Sequence, residues 1–297
     1  MKKLICMFVS AMVMLSLAIP AFAEEIEPES SCNTRFEISS PTFPDAYIIT
    51  ETLPLTRGSD DNSGSLGSIS ATVFVEEMYD VVNGELIVTN SRLLSKDEVM
   101  AIGVENFDSL NRPSTQERAA SSSRGKLTIT FSGNYNTSNG VSCNLTGSAK
   151  WDNSGFHTEG ENFCATGEDY IGVTWAGEHT VKSSSISGTN HLGGALTINN
   201  AESTPNVGRV WSFNDVVKGS KYNIYAKDIN LQMSISKNTL TGNGNTAEAV
   251  LKYIHTYSKV NGSISISAGA SGVAGSFSLS NTDKQWSIVC TVTGIPY

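Results

Sequence analysis

His157, Glu159 and Glu161 stand at i, i+2 and i+4, so an extended backbone would aim all three side chains to one side. Glu168 and Asp169 follow closely. Between Lys150 and Lys182 there is no other Lys or Arg, while Asp152, Glu159, Glu161, Glu168, Asp169 and Glu178 supply six of the eleven acids found after Gly125. Carboxylates without local counter-charge repel one another, and a hard cation relieves that repulsion. Calcium, which takes 6–8 oxygen ligands, is the cofactor this pattern predicts. Three readings stay open for the stretch: a divalent-cation or partner site made by His157, Glu159, Glu161, Glu168 and Asp169, paired-carboxylate hydrolysis, or a merely solvated acidic loop.

Other chemistry is thin. The sequence contains no Gly-x-Ser-x-Gly elbow, phosphate loop, His-Glu-x-x-His or Cys-x-x-Cys. His157, His179, His191 and His255 lie at no zinc-ligand spacing and read as surface or hydrogen-bonded histidines. Trp151, Trp175, Trp211 and Trp286 each keep the parity of apolar neighbours, which places them in a core rather than on a sugar-stacking surface. Tyr170, Tyr253 and Tyr257 are the better ligand-contact candidates.

Four cysteines remain beyond Cys6: Cys32, Cys143, Cys164 and Cys290. An even number in an oxidising compartment suggests bridges, and Cys143 to Cys164 is the most local pairing. Cys290, in phase with Trp286, Ile288 and Val292, also fits an ordinary buried thiol. Val260 to Thr282 carries no charge, and its two nine-residue arms, Gly262 to Ala270 and Val273 to Asn281, match the length of a membrane-spanning strand. A pore-forming or bacteriocin-like toxin could use such a hairpin.

The elements that must position these groups are mostly strands. Residues 1–23 read as a secretory signal peptide: Lys2 and Lys3, an apolar run to Ile19, then Ala21-Phe22-Ala23. No later segment is long and apolar enough for a transmembrane helix. Residues 24–67, acidic and Pro-containing, predict an extended or disordered arm. Residues 68–112 predict a hairpin and then a helix opened by the capping box Ser95-Lys96-Asp97-Glu98. Residues 113–125 read as a linker, and residues 126–297 as an antiparallel β-sandwich of about ten strands.

Within that last domain, Ala247 to Gly294 predicts a β-meander, turning at Asn261-Gly262. Residues 247–254 also fit a helical period, but Tyr253-Ile254-His255-Thr256-Tyr257 favours strand. Charge divides the chain. Residues 24–125 hold seven basic against eighteen acidic residues, and residues 126–297 hold eleven of each. A neutral, Ser/Thr/Asn-rich surface is no trap for nucleic acid or anionic lipid. The sequence therefore predicts a secreted, mainly-β protein that binds an extracellular ligand or surface. A secreted hydrolase using the carboxylates of residues 152–178 and the 260–282 toxin are the alternatives.

Overall fold

Alternation of apolar and hydroxyl side chains dominates the chain after residue 62, and a period of two permits only strands with one covered face. The computed structural model describes residues 34–38, 43–54, 56–57, 62–82, 85–108, 122–152, 167–218, 223–239, 244–257, 262–280 and 284–297. In order, its elements are β1 (Thr34–Ile38), β2 (Ile48–Leu53), β3 (Thr56–Arg57), β4 (Ser63–Val82), β5 (Glu85–Leu93) and helix α1 (Lys96–Ile102). Then come β6 (Ser122–Asn136), β7 (Val141–Asp152), β8 (Glu168–Trp175), β9 (Thr180–Asn190), β10 (Ile198–Thr204), β11 (Gly208–Asn214) and β12 (Val216–Lys218). β13 (Asn223–Lys237), β14 (Thr246–Thr256), β15 (Ile264–Ser267), β16 (Ser276–Leu279) and β17 (Gln285–Pro296) complete the chain.

The strands form the expected antiparallel sandwich. One sheet has six strands in the order β1-β17-β14-β8-β11-β10. The other has nine: β12-β13-β7-β6-β4-β2 in a row, with β3 and β5 also on β4 and β9 also on β13. The core lies between them. Leu127, Ile129 and Phe131 of β6 meet Leu251 and Tyr253 of β14 and Ile288 of β17 in one cluster. All four tryptophans are buried, as their phase predicts.

The N-terminal third does not stand apart. β4 pairs with β6 from Ser63↔Asn136 to Met78↔Ser122, so the boundary drawn between 125 and 126 falls inside a continuous strand. Strands β1, β2 and β3 lie within the segment expected to be an extended or disordered arm, and Ser122 to Gly125 of the expected linker are strand. Ladder hydrogen bonding to distant partners orders these residues where local composition predicts none. Cys32–Tyr297 form one compact unit. The signal-peptide stretch and residues 113–121 lie outside the described residues.

The capping box is present: Glu98 N donates to Ser95 Oγ (3.4 Å) and Ser95 N to Glu98 Oε2 (2.8 Å). The helix is shorter than its apolar period suggests, because Gly103 adopts φ 89° and a 3₁₀ turn, Val104–Phe107, follows. Val99 and Phe107 pack on Phe74 and Leu94. Phe74 alternates with the core residues Val73 and Val75, so α1 covers one end of the outer face of the nine-stranded sheet.

The C-terminal meander is also revised. β14 pairs directly with β17, and β15 with β16 as a separate two-stranded sheet. Ile264, Ile266, Phe277 and Leu279 pack on Tyr170, Val210 and Ile254, while Ser265 and Ser278 pair on the other side. Each arm is four residues long, against the ~9–11 residues of a membrane-spanning strand.

Candidate functional site

Two regions gather polar side chains, one inside the sandwich and one outside. The inner one arises where the core stripe of several strands continues into ionisable residues. Val73 and Val75 of β4 lead to Glu77, Leu251 and Tyr253 of β14 to His255, and Trp211 and Phe213 of β11 to Asp215. Ile171 and Val173 of β8 are preceded by Asp169. Period two carries all four side chains inward, where Glu77, Asp169 and His255 are 0% exposed and Asp215 4%.

His255 joins the two sheets. Its Nε2 donates to Glu77 Oε1 at 2.9 Å, and its Nδ1 lies 3.1 Å from both Asp169 oxygens. Asp215 Oδ2 is 3.8 Å from Nδ1. Burial alone would drive the imidazole neutral, but Asp169, by charge and hydrogen bond, and Glu77 outweigh it and hold its pKa well above the ordinary value. Both ring nitrogens therefore donate. The ring centroid sits 4.8 Å from that of Trp286 and 5.6 Å from that of Trp151, so aromatic faces wall the cation.

Asp169, Tyr253, Glu77 and Trp286 are each fixed in turn. Tyr253 Oη donates to Asp169 Oδ2 and accepts from Trp151 Nε1 (2.9 Å); Thr256 N donates to Asp169 Oδ1 (2.9 Å). Burial, then Asp169, raise the Tyr253 hydroxyl well above its usual pKa, which keeps it a donor. Tyr79 Oη donates to Glu77 Oε2 (3.1 Å) and pairs with Ser123. Trp286 Nε1 donates to Ser91 Oγ (2.9 Å).

Such an imidazole cannot act as a general base. A catalytic histidine keeps one nitrogen for the proton it must move, and here carboxylates engage both. The donor atoms of Asp169, Asp215 and His255 lie within 4.8 Å of one another and are the described residues that could together hold a cation. Asp169, however, directs both oxygens at N–H and O–H donors. The arrangement is that of a hydrogen-bonded ion pair fastening the sheets.

Of the sequence candidates, Asp169 and Tyr253 meet at this cluster. Glu168 precedes Asp169 on β8 and so faces the opposite side of the sheet, where Tyr170 Oη donates to it (3.4 Å). Tyr170 is 7% exposed, and burial followed by Glu168 pushes its hydroxyl up to about 12. Tyr257 is half-buried against the core. His157, Glu159, Glu161 and Cys164 lie outside the described residues. Cys143 is a free thiol in place of the expected bridge: it points into the core nine residues from Asp152, about 30 Å along β7. Cys290 is likewise free and buried, and burial pushes both thiols up to about 12.

The outer region is the other face of the nine-stranded sheet. The registers of β4, β6, β7, β13 and β9 align five rows of five outward positions. The middle row runs Ser68, Ser132, Thr146, Gln232, Ser185; the last runs Thr72, Thr128, Lys150, Asp228, Thr189. Four rows contain nothing but Ser, Thr, Asn and Gln, and the charges within the rows are Lys150 and Asp228, opposite each other in the fifth; at the margins, exposed Lys182 stands in the β9 bulge next to Ser183 and Glu51 of β2 adjoins Ser70. Hydroxyls on adjacent strands bond one another at Thr72–Thr128 (2.8 Å) and Thr130–Ser70 (3.2 Å), which fixes their rotamers. At strand spacings of ~4.8 Å and ~3.4 Å per residue the field measures roughly 19 by 27 Å. Where β3, β4 and β6 meet, a shallow concavity of about 390 Å3 is lined by Thr56, Ser63, Gly64, Ser65, Asn134, Tyr135 and Asn136. A side chain at Gly64 would come within 2.7 Å of Tyr135 Oη and 2.9 Å of Thr56 O, so glycine lets the three strands close up there.

The inner group was missed because acids in an apolar phase look like interruptions; the signal was that Glu77, Asp169, Asp215 and His255 keep the core parity. No family model matches the chain, and no curated protein does. Among solved structures, one of the Fap1 fimbriae of Streptococcus parasanguinis, concerned with pH-induced modulation of adhesion, is 11% identical, with 56% of this chain and 80% of that one covered and a TM-score of 0.28. The N-terminal domain of the Streptococcus gordonii adhesin Sgo0707 is 7% identical, with 87% and 82% covered and a TM-score of 0.19. Likeness at those scores carries no argument about fold or function. No described helix is long and apolar enough to cross a membrane.

Proposed function

We propose that the chain is an exported, non-catalytic protein that binds an extracellular ligand or surface through the outer face of the nine-stranded sheet. The uncharged field of Ser, Thr, Asn and Gln across five strands carries this reading. An ordinary protein surface carries roughly 25–35% charged side chains of mixed sign, and twenty-five adjoining positions with two charges depart widely from that. The sealed His255 cluster supports it from the other side. The most concentrated chemistry among the described residues is out of reach of a substrate and already internally bonded.

The test places charge in the middle of the field. Thr146 and Gln232 are exposed neighbours in the middle row, and Thr146→Glu with Gln232→Glu leaves the core side of both strands untouched. Wild type and variant are compared on immobilised mucin, fibronectin and bacterial cell walls. Wild type should bind at least one of the three, and the variant should lose about tenfold or more in affinity at an unchanged melting temperature. Equal binding by both, or no binding to any of them, rejects the reading.

A further inference from the structure

We infer that what this face takes is an uncharged polyhydroxylated glycan, engaged along the rows of the field and in the concavity beside Asn134. The inference rests on the binding reading above and adds the chemistry of the ligand.

Charge comes first. Nucleic acid and anionic polysaccharide need clustered Lys or Arg to offset phosphate or carboxylate, and beside the four uncharged rows stands the single Lys182 at the β9 edge, next to which no second basic side chain lies within the rows. A partner that brought its own ions would lose their hydration against groups that supply only dipoles. Neutral matches neutral.

Hydrogen-bonding capacity is the second argument. Each Ser or Thr hydroxyl both donates and accepts, and each Asn or Gln presents two donors beside an acceptor oxygen. A sugar hydroxyl is amphoteric in the same way, so it finds partners in either sense at the exposed lattice positions, Ser236 Oγ being buried. Ordered water can bridge the positions it does not reach. At the concavity, Asn134 and Asn136 offer amides and Ser63, Ser65 and Thr56 hydroxyls, while Tyr135, between the two amides on β6, turns its ring towards the core. That cluster of neutral donors and acceptors suits the hydroxyl edges of a pyranose.

The scarcity of apolar anchors argues against an interface with a second protein. Exposed large apolar residues, the usual anchors of such an interface, occur here only at its β2 rim, as Ile49 and Leu53. A linear glycan needs no such anchors.

Affinity electrophoresis of the full chain in gels containing starch, mixed-linkage β-glucan, xyloglucan or mannan tests this, with alginate as the anionic counterpart. At least one neutral polysaccharide should retard the protein, and alginate should not. Asn134→Ala with Asn144→Ala removes two exposed amides that lie side by side, 3.4 Å apart, next to the concavity. The pair should weaken retardation about tenfold, as expected when one or two hydrogen bonds are lost, with the melting temperature unchanged. Thr146→Ala with Gln232→Ala should weaken it too, and serves as the second variant should the first lower stability. Absence of retardation by every neutral polysaccharide, equal retardation by alginate, or full retention by both variants overturns the inference. Mucin, fibronectin or cell-wall binding that is lost in the glutamate variant would leave the binding reading intact in that event, so the two fail separately.

Discussion

Glu77, Asp169, Asp215 and His255 inside the sandwich and the Ser/Thr/Asn/Gln field outside it are the two polar regions of this molecule, and they differ in where their hydrogen bonds end. Inside, the bonds close on one another: both nitrogens of His255, both oxygens of Asp169 and the hydroxyl of Tyr253 are engaged within the protein. Outside, donors and acceptors face solvent at regular spacing. Ionisable groups draw attention as chemistry, yet here they hold sheets together, while the plain hydroxyls and amides are what remains available to a ligand.

The comparison is broken most forcefully by His255→Ala. Removing one partner from a buried ion pair leaves Glu77 and Asp169 uncompensated, at a cost of about 3–5 kcal/mol. Urea denaturation should read that loss, while binding per folded molecule stays at the wild-type level. A small loss of stability would mean the cluster does not fasten the sheets.

A pH series sharpens it next. Because the folded pKa of His255 lies well above its unfolded value of about 6.5, its contribution is fully present below pH ~6.5. It is lost as pH rises through the folded pKa. Urea stability of wild type should therefore fall on the alkaline side, and His255→Gln should lack that slope. His179 works in the opposite sense: burial lowers its pKa despite bonds to Ala176 O and Pro296 O. It favours the fold above pH ~6.5 and opposes it as pH falls below. Alkaline stability equal in wild type and His255→Gln would reject the ion pair.

The thiols give a further contrast. Cys143 and Cys290, buried and pushed up to about 12, should resist a thiol-alkylating reagent in the native state and react fully in urea. Native labelling of Cys143 would place it elsewhere than the core.

Much of the architecture was legible in local pattern. Alternation marks β6 and β13, and, with Val289 as an exception, β17; Ser95 and Glu98 mark the start of α1, and parity marks four buried tryptophans. Non-local pairing was not legible. Nothing between Ser63 and Met78 announces a partner between Ser122 and Asn136, and a shift in charge reports solvent-facing positions rather than strand neighbours, so it set a boundary inside β6. The meander failed similarly: β14 and β17 are separated in sequence by a hairpin that packs elsewhere. The inner cluster joins Glu77 to His255 across 178 residues, a distance no spacing rule spans. Asp169 was singled out for its acidic neighbours, but strand parity, which sends Glu168 to the opposite face, decides which neighbours it meets. The outer field was half legible, since Ser and Thr alternate along each strand; only the registers bring five such strands side by side.

The most direct measurement sets the two regions against each other in one assay: binding of wild type, His255→Gln and Thr146→Glu with Gln232→Glu to whichever of the three immobilised surfaces wild type binds, at matched folded fraction. The account predicts that His255→Gln binds as wild type does despite its lower stability, and that the glutamate pair loses about tenfold or more with its stability unchanged. Full binding by the glutamate pair, or loss of binding by folded His255→Gln, would contradict it.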